Sequence, residues 1–288
     1  MRFHSVVTLD EAIGLLAENG EEIQVLAGGT DVMVQYQRGE IGQKAMLHIE
    51  GIKSLREVET GNGTVTFGAG VTHRRVARDP GLSDLLPALS EAAATVGGWQ
   101  TQEVGTIVGN VCNASPAADT LPPLLNADAV VHLASASGRR AVPLQQFILG
   151  RRRTSRRPDE IVTALEVQPL RPRNAEAYLK VAPRSAMEVA LVGLAARLAF
   201  SKSGEVEEAR ISVCAVSEVP YRAGEAESAL LGSHLDDETV REAGALLTRS
   251  ADPIDDQRAS AAYRRRVLSP LLARAVEVCR NRLEKDDT

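Results

Sequence analysis

The sequence predicts a mixed helix and sheet protein of the α+β class, built from consecutive domains. Strand and helix patterns alternate over residues 1–58, whereas short strand-like runs and glycine turns are frequent over residues 59–172. Three apolar strand-like runs followed by helices occupy residues 173–288. A chain of 288 residues is long enough for two or three compact units, each with its own core.

The first domain opens with a helix over residues 8–19. Thr8 is a capping residue with Glu11 three positions later, and Gly20 follows as a stop signal. The other elements predicted here are a strand over 23–27, a short helix over 32–38 and a strand over 45–49. This alternation of helices and strands indicates an α/β unit.

The second and third domains follow from turn and breaker residues. The second is predicted to contain a strand over 64–70, helices over 72–79, 82–96 and 122–127, a strand pair over 129–135 and 139–144, and a strand over 160–167. The third is predicted to contain strands over 177–181, 189–200 and 210–216, then helices over 236–249 and 260–283. Pro270 is expected to kink the last helix or to begin a new one.

Composition narrows the possible functions. A net charge of −5 and an aromatic content of 3% argue against a nucleic-acid binder. Cys112, Cys214 and Cys279 are far apart and form no ligand motif, which argues against an iron–sulfur or zinc site in this chain and favours a reducing compartment. The sequence contains no run of eighteen apolar residues, so no membrane-spanning segment is predicted and a cytoplasmic location is expected.

Two polar segments are the strongest candidates for a binding site. The apolar strand over 23–27 leads into Gly28-Gly29-Thr30-Asp31, a turn that frees backbone amides for an anion. Residues 101–127 place glycines, asparagines and Asp119 among apolar neighbours, which suggests a buried and irregular polar run. Such a run lets a ligand approach the backbone, but it also fits a Gly/Asn-rich loop packed beneath the surface.

The order of these motifs resembles the FAD-binding medium subunits of the molybdenum hydroxylases, the family of xanthine dehydrogenase and carbon monoxide dehydrogenase. The resemblance covers nearly the whole chain and includes AGGTD at 27–31, FGAGVTH at 67–73, GTIVGNVCNASPAADTLPPLL at 105–125 and YLKVAPRSAMEVALV at 178–192. It implies a two-part FAD-binding domain of the vanillyl-alcohol oxidase (PCMH) type, followed by a C-terminal domain with a three-stranded antiparallel sheet and helices.

The resemblance implies cofactor-binding residues and no catalytic acid, base or metal ligand in this chain. Residues 25–32 would wrap the FAD pyrophosphate, residues 106–110 would form a second clamp, and Lys180 would lie near the flavin and stabilise its anionic reduced ring. The implied set is Val25, Leu26, Ala27, Gly28, Gly29, Thr30, Asp31, Val32, Val96, Thr106, Ile107, Val108, Gly109, Asn110, Asn113, Ser115, Asp119, Val162 and Lys180. The alternatives are a surface lysine paired with a carboxylate for Lys180, and ordinary core residues for Val96 and Val162.

Several positions depart from the family pattern or lie outside it. Gln102 stands where the family has arginine, Glu188 where it has aspartate, and Val108 where it has glycine, which restricts the backbone of the second clamp. Trp99 is expected to pack in the interior, which is the default for a lone tryptophan, and the alternative is contact with the cofactor or a partner. The arginines of residues 151–157 are interpreted as a solvated loop or a docking surface.

The resemblance also implies partners. An iron–sulfur subunit would pass electrons from its [2Fe-2S] clusters to FAD in this chain and then to an external acceptor. Substrate would be hydroxylated at a molybdopterin centre in a large subunit, and the assembly would be a dimer of heterotrimers. Two alternatives stay open: a free-standing FAD-dependent oxidase or reductase of the same fold, and a non-catalytic assembly subunit.

Overall fold

The computed structural model describes residues 1–286; Asp287 and Thr288, the last residues of the predicted third domain, lie outside the described residues. The strands are β1 (Arg2–Ser5), β2 (Ile23–Leu26), β3 (Ala45–His48), β4 (Val58–Gly61), β5 (Thr64–Gly68), β6 (Val130–Ser135), β7 (Gly138–Pro143), β8 (Ile148–Gly150), β9 (Arg153–Thr154), β10 (Ile161–Val167), β11 (Asn174–Val181), β12 (Val192–Phe200), β13 (Val206–Cys214) and β14 (Tyr221–Arg222).

The α-helices are α1 (Leu9–Asn19), α2 (Val32–Gln37), α3 (His73–Arg78), α4 (Pro80–Leu85), α5 (Pro87–Thr95), α6 (Trp99–Val104), α7 (Ile107–Asn113), α8 (Leu121–Asn126), α9 (Leu144–Phe147), α10 (Gly224–Leu230), α11 (Asp237–Ser250) and α12 (Ala261–Asp286). Short 3-10 helices occupy Gly20–Glu22 and Lys53–Arg56. Within residues 1–286, none of the helices combines the length and the hydrophobicity needed to cross a bilayer. The predicted mixture of helices and sheets is confirmed.

The chain forms two compact units, each built from segments that are distant in sequence. The first unit contains Met1–Val76, Gly98–Ala114 and Asp128–Gln168, and the second contains Ala77–Gly97, Ser115–Ala127 and the chain from Pro169 onward. The division of the sequence into three domains, with boundaries after residues 58 and 172, stays a prediction.

A parallel sheet and an antiparallel sheet form the first unit. β1 and β2 both pair in parallel with β3, so the order is β1-β3-β2. The predicted capping box holds α1: Thr8 Oγ1 accepts a hydrogen bond from the Glu11 amide at 3.3 Å, and Glu11 Oε2 accepts one from the Thr8 amide at 3.3 Å. The antiparallel sheet has the order β4-β5-β10-β6-β7, and a bulge in β10 lies between Val162 and Ala164.

A four-stranded antiparallel sheet is the framework of the second unit. The order is β11-β12-β13-β14, which confirms the three predicted strands and adds a two-residue strand at the edge. Helices α10 and α12 pack on this sheet and α11 packs on α12. Leu194, Leu198 and Ile211 of the sheet share one core cluster with Leu247 and Leu272 of the helices. The buried apolar face of the sheet therefore explains why these helices form here.

Two prolines in predicted helices have opposite effects. The prediction that Pro270 begins a new helix is wrong, whereas a kink at Pro270 stays a prediction. The single helix predicted over 82–96 is wrong, because Pro87 excludes the helical conformation of Leu86 (φ −146°) and separates α4 from α5. In contrast, α12 runs through Pro270 without ending. A Cβ atom on Gly244 of α11 would lie 2.3 Å from Ser269 Oγ, so the two helix backbones pack closely beside this proline.

Candidate functional site

A cavity of about 290 Å³ lies within the first unit, where β2 ends and α7 begins. Its wall is formed by some of the residues in the segments 24–35, 105–113 and 152–162, together with Ile49, Ala69 and His73. The wall residues that the resemblance implied are Val25, Ala27, Gly29, Thr30, Asp31, Val32, Thr106, Val108, Gly109, Asn110, Asn113 and Val162. The two polar segments, far apart in sequence, thus meet at one cavity.

The glycine turn after β2 is packed directly on the second segment. Gly29 has φ +72°, a left-handed conformation that favours glycine. A Cβ atom on Gly28 would lie 1.7 Å from the carbonyl oxygen of Val104. Gly28 does not line the cavity; its missing side chain lets the backbones of the two segments approach each other.

The second segment is more regular than the sequence suggested. Residues 107–113 form α7, so the prediction of an irregular run is wrong there. Thr106 is the N-cap, and its Oγ1 accepts a hydrogen bond from the Gly109 amide at 2.9 Å. Val108 lies in the first turn of this helix, a conformation that valine adopts without strain. The departure from glycine at this position therefore does not distort the backbone.

The third segment of the wall contains arginines that the sequence placed in solvent. Arg151, Arg152, Arg153 and Arg157 are exposed, as predicted, while Arg156 is half-buried; Arg152 and Arg156 also line the cavity. Arg152 pairs with Glu40 Oε2 at 2.6 Å, and Arg156 donates to the carbonyl oxygen of Glu160 at 2.7 Å. Arg152 and Arg156 lie a few positions before Val162 in the sequence, and the resemblance implied that Val162 contacts the cofactor. Their closeness to Val162 in the sequence was the only indication that they belong to the site.

His73 and Cys112 complete the wall and are uncharged at neutral pH. Burial lowers the pKa of His73 to about 4 and raises the pKa of the Cys112 thiol to about 11. Neither residue belonged to the implied set. A thiol that stays protonated is a poor nucleophile, so Cys112 contributes a small, inert surface to the wall.

The buried His73 is expected to make the protein sensitive to acid. Its pKa is lower in the folded state than the usual 6.5, so the unfolded chain takes up the proton first and stability falls as the pH falls from 6.5 towards 4. This one group should remove about 2–3 kcal/mol of unfolding free energy between pH 7 and pH 4.5. Urea unfolding at the two pH values measures the loss of unfolding free energy in the wild type and in His73→Leu. The loss should be about 2–3 kcal/mol smaller in His73→Leu. An equal loss in the wild type and in the variant would contradict the prediction.

A separate cluster of buried polar side chains lies in the second unit. Asp119 Oδ1 accepts a hydrogen bond from the Tyr178 hydroxyl at 2.6 Å, and its Oδ2 accepts one from Lys180 Nζ at 2.9 Å. Lys180 also donates to the carbonyl oxygen of Thr95 at 3.1 Å. Burial raises the pKa of Asp119, and the Lys180 ammonium opposes the rise. The alternative for Lys180 was a surface lysine paired with a carboxylate. The pairing is present, but the side chain is only 9% exposed, so Lys180 is not a surface residue.

The remaining implied residues have structural positions. Leu26 and Ile107 are buried in the core of the first unit. In the second unit, Val96 is the C-cap of α5, and the Ser115 hydroxyl accepts from the Ala117 amide at 3.3 Å. The prediction that Trp99 packs in the interior is wrong, because its side chain is 68% exposed.

Comparison with known families covers both parts of the chain. Residues 1–169 match the FAD binding domain in molybdopterin dehydrogenase, and residues 177–278 match the CO dehydrogenase flavoprotein C-terminal domain. The chain belongs to the FAD-binding subunits of this dehydrogenase family. The predicted resemblance is confirmed, and the chain is an FAD-binding oxidoreductase subunit of the xanthine and CO dehydrogenase type.

Members of the family resemble the chain from end to end. A xanthine dehydrogenase FAD-binding subunit of Escherichia coli O157:H7 is 29% identical and covers 95% of this chain and 94% of its own length. A glyceraldehyde dehydrogenase medium chain of Sulfolobus acidocaldarius is 31% identical, with 93% and 94% covered. The solved structure of reconstituted CO dehydrogenase from Oligotropha carboxidovorans superposes with a TM-score of 0.94 at 26% identity, covering 98% of both chains.

The wall of the cavity suits the FAD of this family. Residues of the glycine turn and of the start of α7 line the wall, where Arg152 and Arg156 outnumber the one carboxylate, Asp31, and can offset the charge of an anionic diphosphate. The volume of about 290 Å³ is at the lower end of the range for ligand cavities, about 300 Å³ upwards. The cavity in the first unit is therefore large enough for a part of the cofactor.

Proposed function

We propose that this chain is the electron-transfer subunit of a molybdenum hydroxylase. Electrons from [2Fe-2S] clusters of a small partner subunit enter the FAD of this chain and leave to an external acceptor. Substrate is hydroxylated at a molybdopterin centre in a large partner subunit, and two such heterotrimers assemble as a dimer. The compartment is proposed to be the cytoplasm, since Cys112, Cys214 and Cys279 are unpaired thiols.

The end-to-end likeness to subunits of larger enzymes supports this proposal. The relatives named above are an FAD-binding subunit and a medium chain, and the chain covers 94% of each. A [2Fe-2S] cluster takes four protein ligands, usually cysteines, whereas this sequence contains three cysteines, of which Cys214 and Cys279 are buried. The clusters are therefore assigned to a partner.

The residues of the chain have binding and orienting roles in this proposal. In the first unit, the turn at Gly28 and Gly29 and the start of α7 hold the diphosphate, and Arg152 offsets its charge. In the second unit, Asp119 holds the ammonium group of Lys180 in one position, and the role of Lys180 beside the reduced flavin stays a prediction. Bound FAD supplies the ability to exchange electrons singly or in pairs.

Purification of the native complex tests this function. We expect a chain of 30.8 kDa to co-purify with two companion chains, and the visible spectrum to contain flavin bands with a broad iron–sulfur absorption. Addition of the complex's substrate should reduce both chromophores, and removal of the iron–sulfur subunit should stop reduction of the flavin.

Two other results would replace the proposal. A single chain whose flavin is bleached by an organic substrate would establish a free-standing oxidoreductase. A complex that contains molybdenum and iron but retains no flavin after gentle purification would establish a non-catalytic assembly subunit.

A further inference from the structure

His73 is fixed in the cavity wall by its backbone. It is the first residue of α3, and its amide donates to the carbonyl oxygen of Gly105 at 2.9 Å. Two residues earlier, the carbonyl oxygen of Val71 accepts from the Ile107 amide at 3.1 Å. These bonds attach the His73 segment to both ends of the turn that precedes α7. The backbone of His73 is therefore held at the wall of the cavity, while its imidazole ring can still turn about the side-chain bonds.

One ring nitrogen of the His73 side chain lacks a hydrogen-bond partner within the described residues. Only 2% of the residue is exposed, and its Nδ1 atom has no hydrogen-bond partner within residues 1–286. A neutral imidazole carries one donor and one acceptor nitrogen. Leaving such a buried group unpaired costs about 1–3 kcal/mol, which is why nearly all buried polar atoms in proteins are paired. The unpaired nitrogen is buried directly behind the wall that His73 lines, so a group in the cavity can pair with it when the imidazole turns about its side-chain bonds.

The residues of the surrounding wall indicate which chemical groups can pair with His73. Thr106 and Gly109 face the same cavity, and Arg152 and Arg156 bring positive charge to it. These groups are suited to oxygen atoms that accept hydrogen bonds, such as those of a diphosphate or of a sugar chain. Burial keeps the ring uncharged above a pH of about 4, since the pKa is lowered to that value, so His73 contributes a directed hydrogen bond and no charge.

We propose that His73 is a further FAD-binding residue, whose imidazole forms a hydrogen bond with an oxygen of the diphosphate or ribityl part of the cofactor in this cavity. The proposal rests on the proposed function, in which the cavity holds FAD. The proposal adds His73 to the cofactor-binding residues that the family resemblance implies. His73 lies outside the two polar segments in the sequence, and the fold brings it next to them.

Rebinding of FAD to the flavin-stripped complex tests the assignment. We expect His73→Leu to raise the dissociation constant of FAD about tenfold, which corresponds to the loss of one hydrogen bond. His73→Asn, which keeps a donor and an acceptor, should lose less. The flavin-stripped His73→Leu complex should be at least as stable at pH 7 as the stripped wild type, because the unpaired nitrogen is gone; a purely structural histidine would instead lower its stability.

A control variant and the possible contrary results distinguish failure of the His73 assignment from failure of the proposed function. His132→Leu changes a half-exposed histidine of β6 that does not line the cavity, and it should leave FAD binding unchanged. If the wild-type complex binds FAD and His73→Leu binds it equally tightly, the assignment of His73 is wrong while the proposed function stands. If the wild-type complex takes up no FAD, both are wrong. Should His73→Leu fail to fold, restoration of FAD affinity in His73→Ala by added imidazole supports the proposal, and no restoration contradicts it.

Discussion

Gly28→Ala is expected to weaken FAD binding about 100-fold or to prevent the first unit from folding. The added Cβ atom would lie 1.7 Å from the carbonyl oxygen of Val104, and this neighbour is backbone that no rotamer change can move. Overpacking of this kind costs about 3 kcal/mol or more, and each 1.4 kcal/mol lost from binding is about a factor of ten in affinity. The measurement is the flavin content of the purified complex, followed by titration of the stripped complex with FAD.

Two other glycines give a graded control for this prediction. Gly29→Ala places a side chain at φ +72° beside a flexible leucine and should lose about 1 kcal/mol. Gly42→Ala meets nothing within 4 Å in the described chain and should behave as wild type. The order Gly28, Gly29, Gly42 reports how closely the turn is packed. Normal flavin content and stability in Gly28→Ala would show that the two segments do not touch as described.

The sequence predicts local structure well where the determining groups are neighbours. The capping box of Thr8 and Glu11 lies within one turn of chain, and β12 of the second unit is apolar at every position except Gly193 and Arg197. The two prolines show where such reasoning ends. Pro87 interrupts a helix and Pro270 does not, and beside Pro270 the helix packs closely through Ser269 on Gly244 of another helix. That neighbour is invisible in the local sequence.

The candidate site could be predicted in part for the same reason. The turn at Gly28 and the polar run after Gly105 are visible as motifs, and the cavity lies between them. The contact between them is long-range: Gln35 Nε2 donates to Asn113 Oδ1 at 2.9 Å, 78 positions away. His73 ends the FGAGVTH motif and Arg152 lies in an arginine-rich segment, but neither was assigned to the cofactor, and their place in the cavity wall follows from the fold. Conversely, Trp99 was expected inside and is exposed, since one side chain carries no periodic signal.

Lys180→Met is expected to destabilise the second unit by about 3–5 kcal/mol, because it leaves the Asp119 carboxylate buried with one neutral partner, Tyr178. Burial already raises the pKa of Asp119, and loss of the ammonium group should raise it further. A raised pKa in the folded state means that the folded protein binds the proton more tightly than the unfolded chain. Stability is then gained as the pH falls and lost as the pH rises through the folded pKa. The deficit of the variant should therefore be largest at neutral pH and smaller in acid.

Urea unfolding of the four proteins in a double-mutant cycle measures this prediction. Asp119→Asn removes the charge that Lys180 balances, so Lys180→Met in the Asp119→Asn background should cost much less than in the wild type. Lys44→Met is the matched control, since Lys44 pairs with Glu22 on the surface with 71% of its side chain exposed, and its loss should change stability by less than about 1 kcal/mol. Equal effects of Lys180→Met in both backgrounds, or an effect no larger than that of Lys44→Met, would mean that Asp119 and Lys180 do not depend on each other. A strong coupling would instead show that the buried carboxylate and the lysine ammonium stabilise each other, as the ion pair of 2.9 Å predicts.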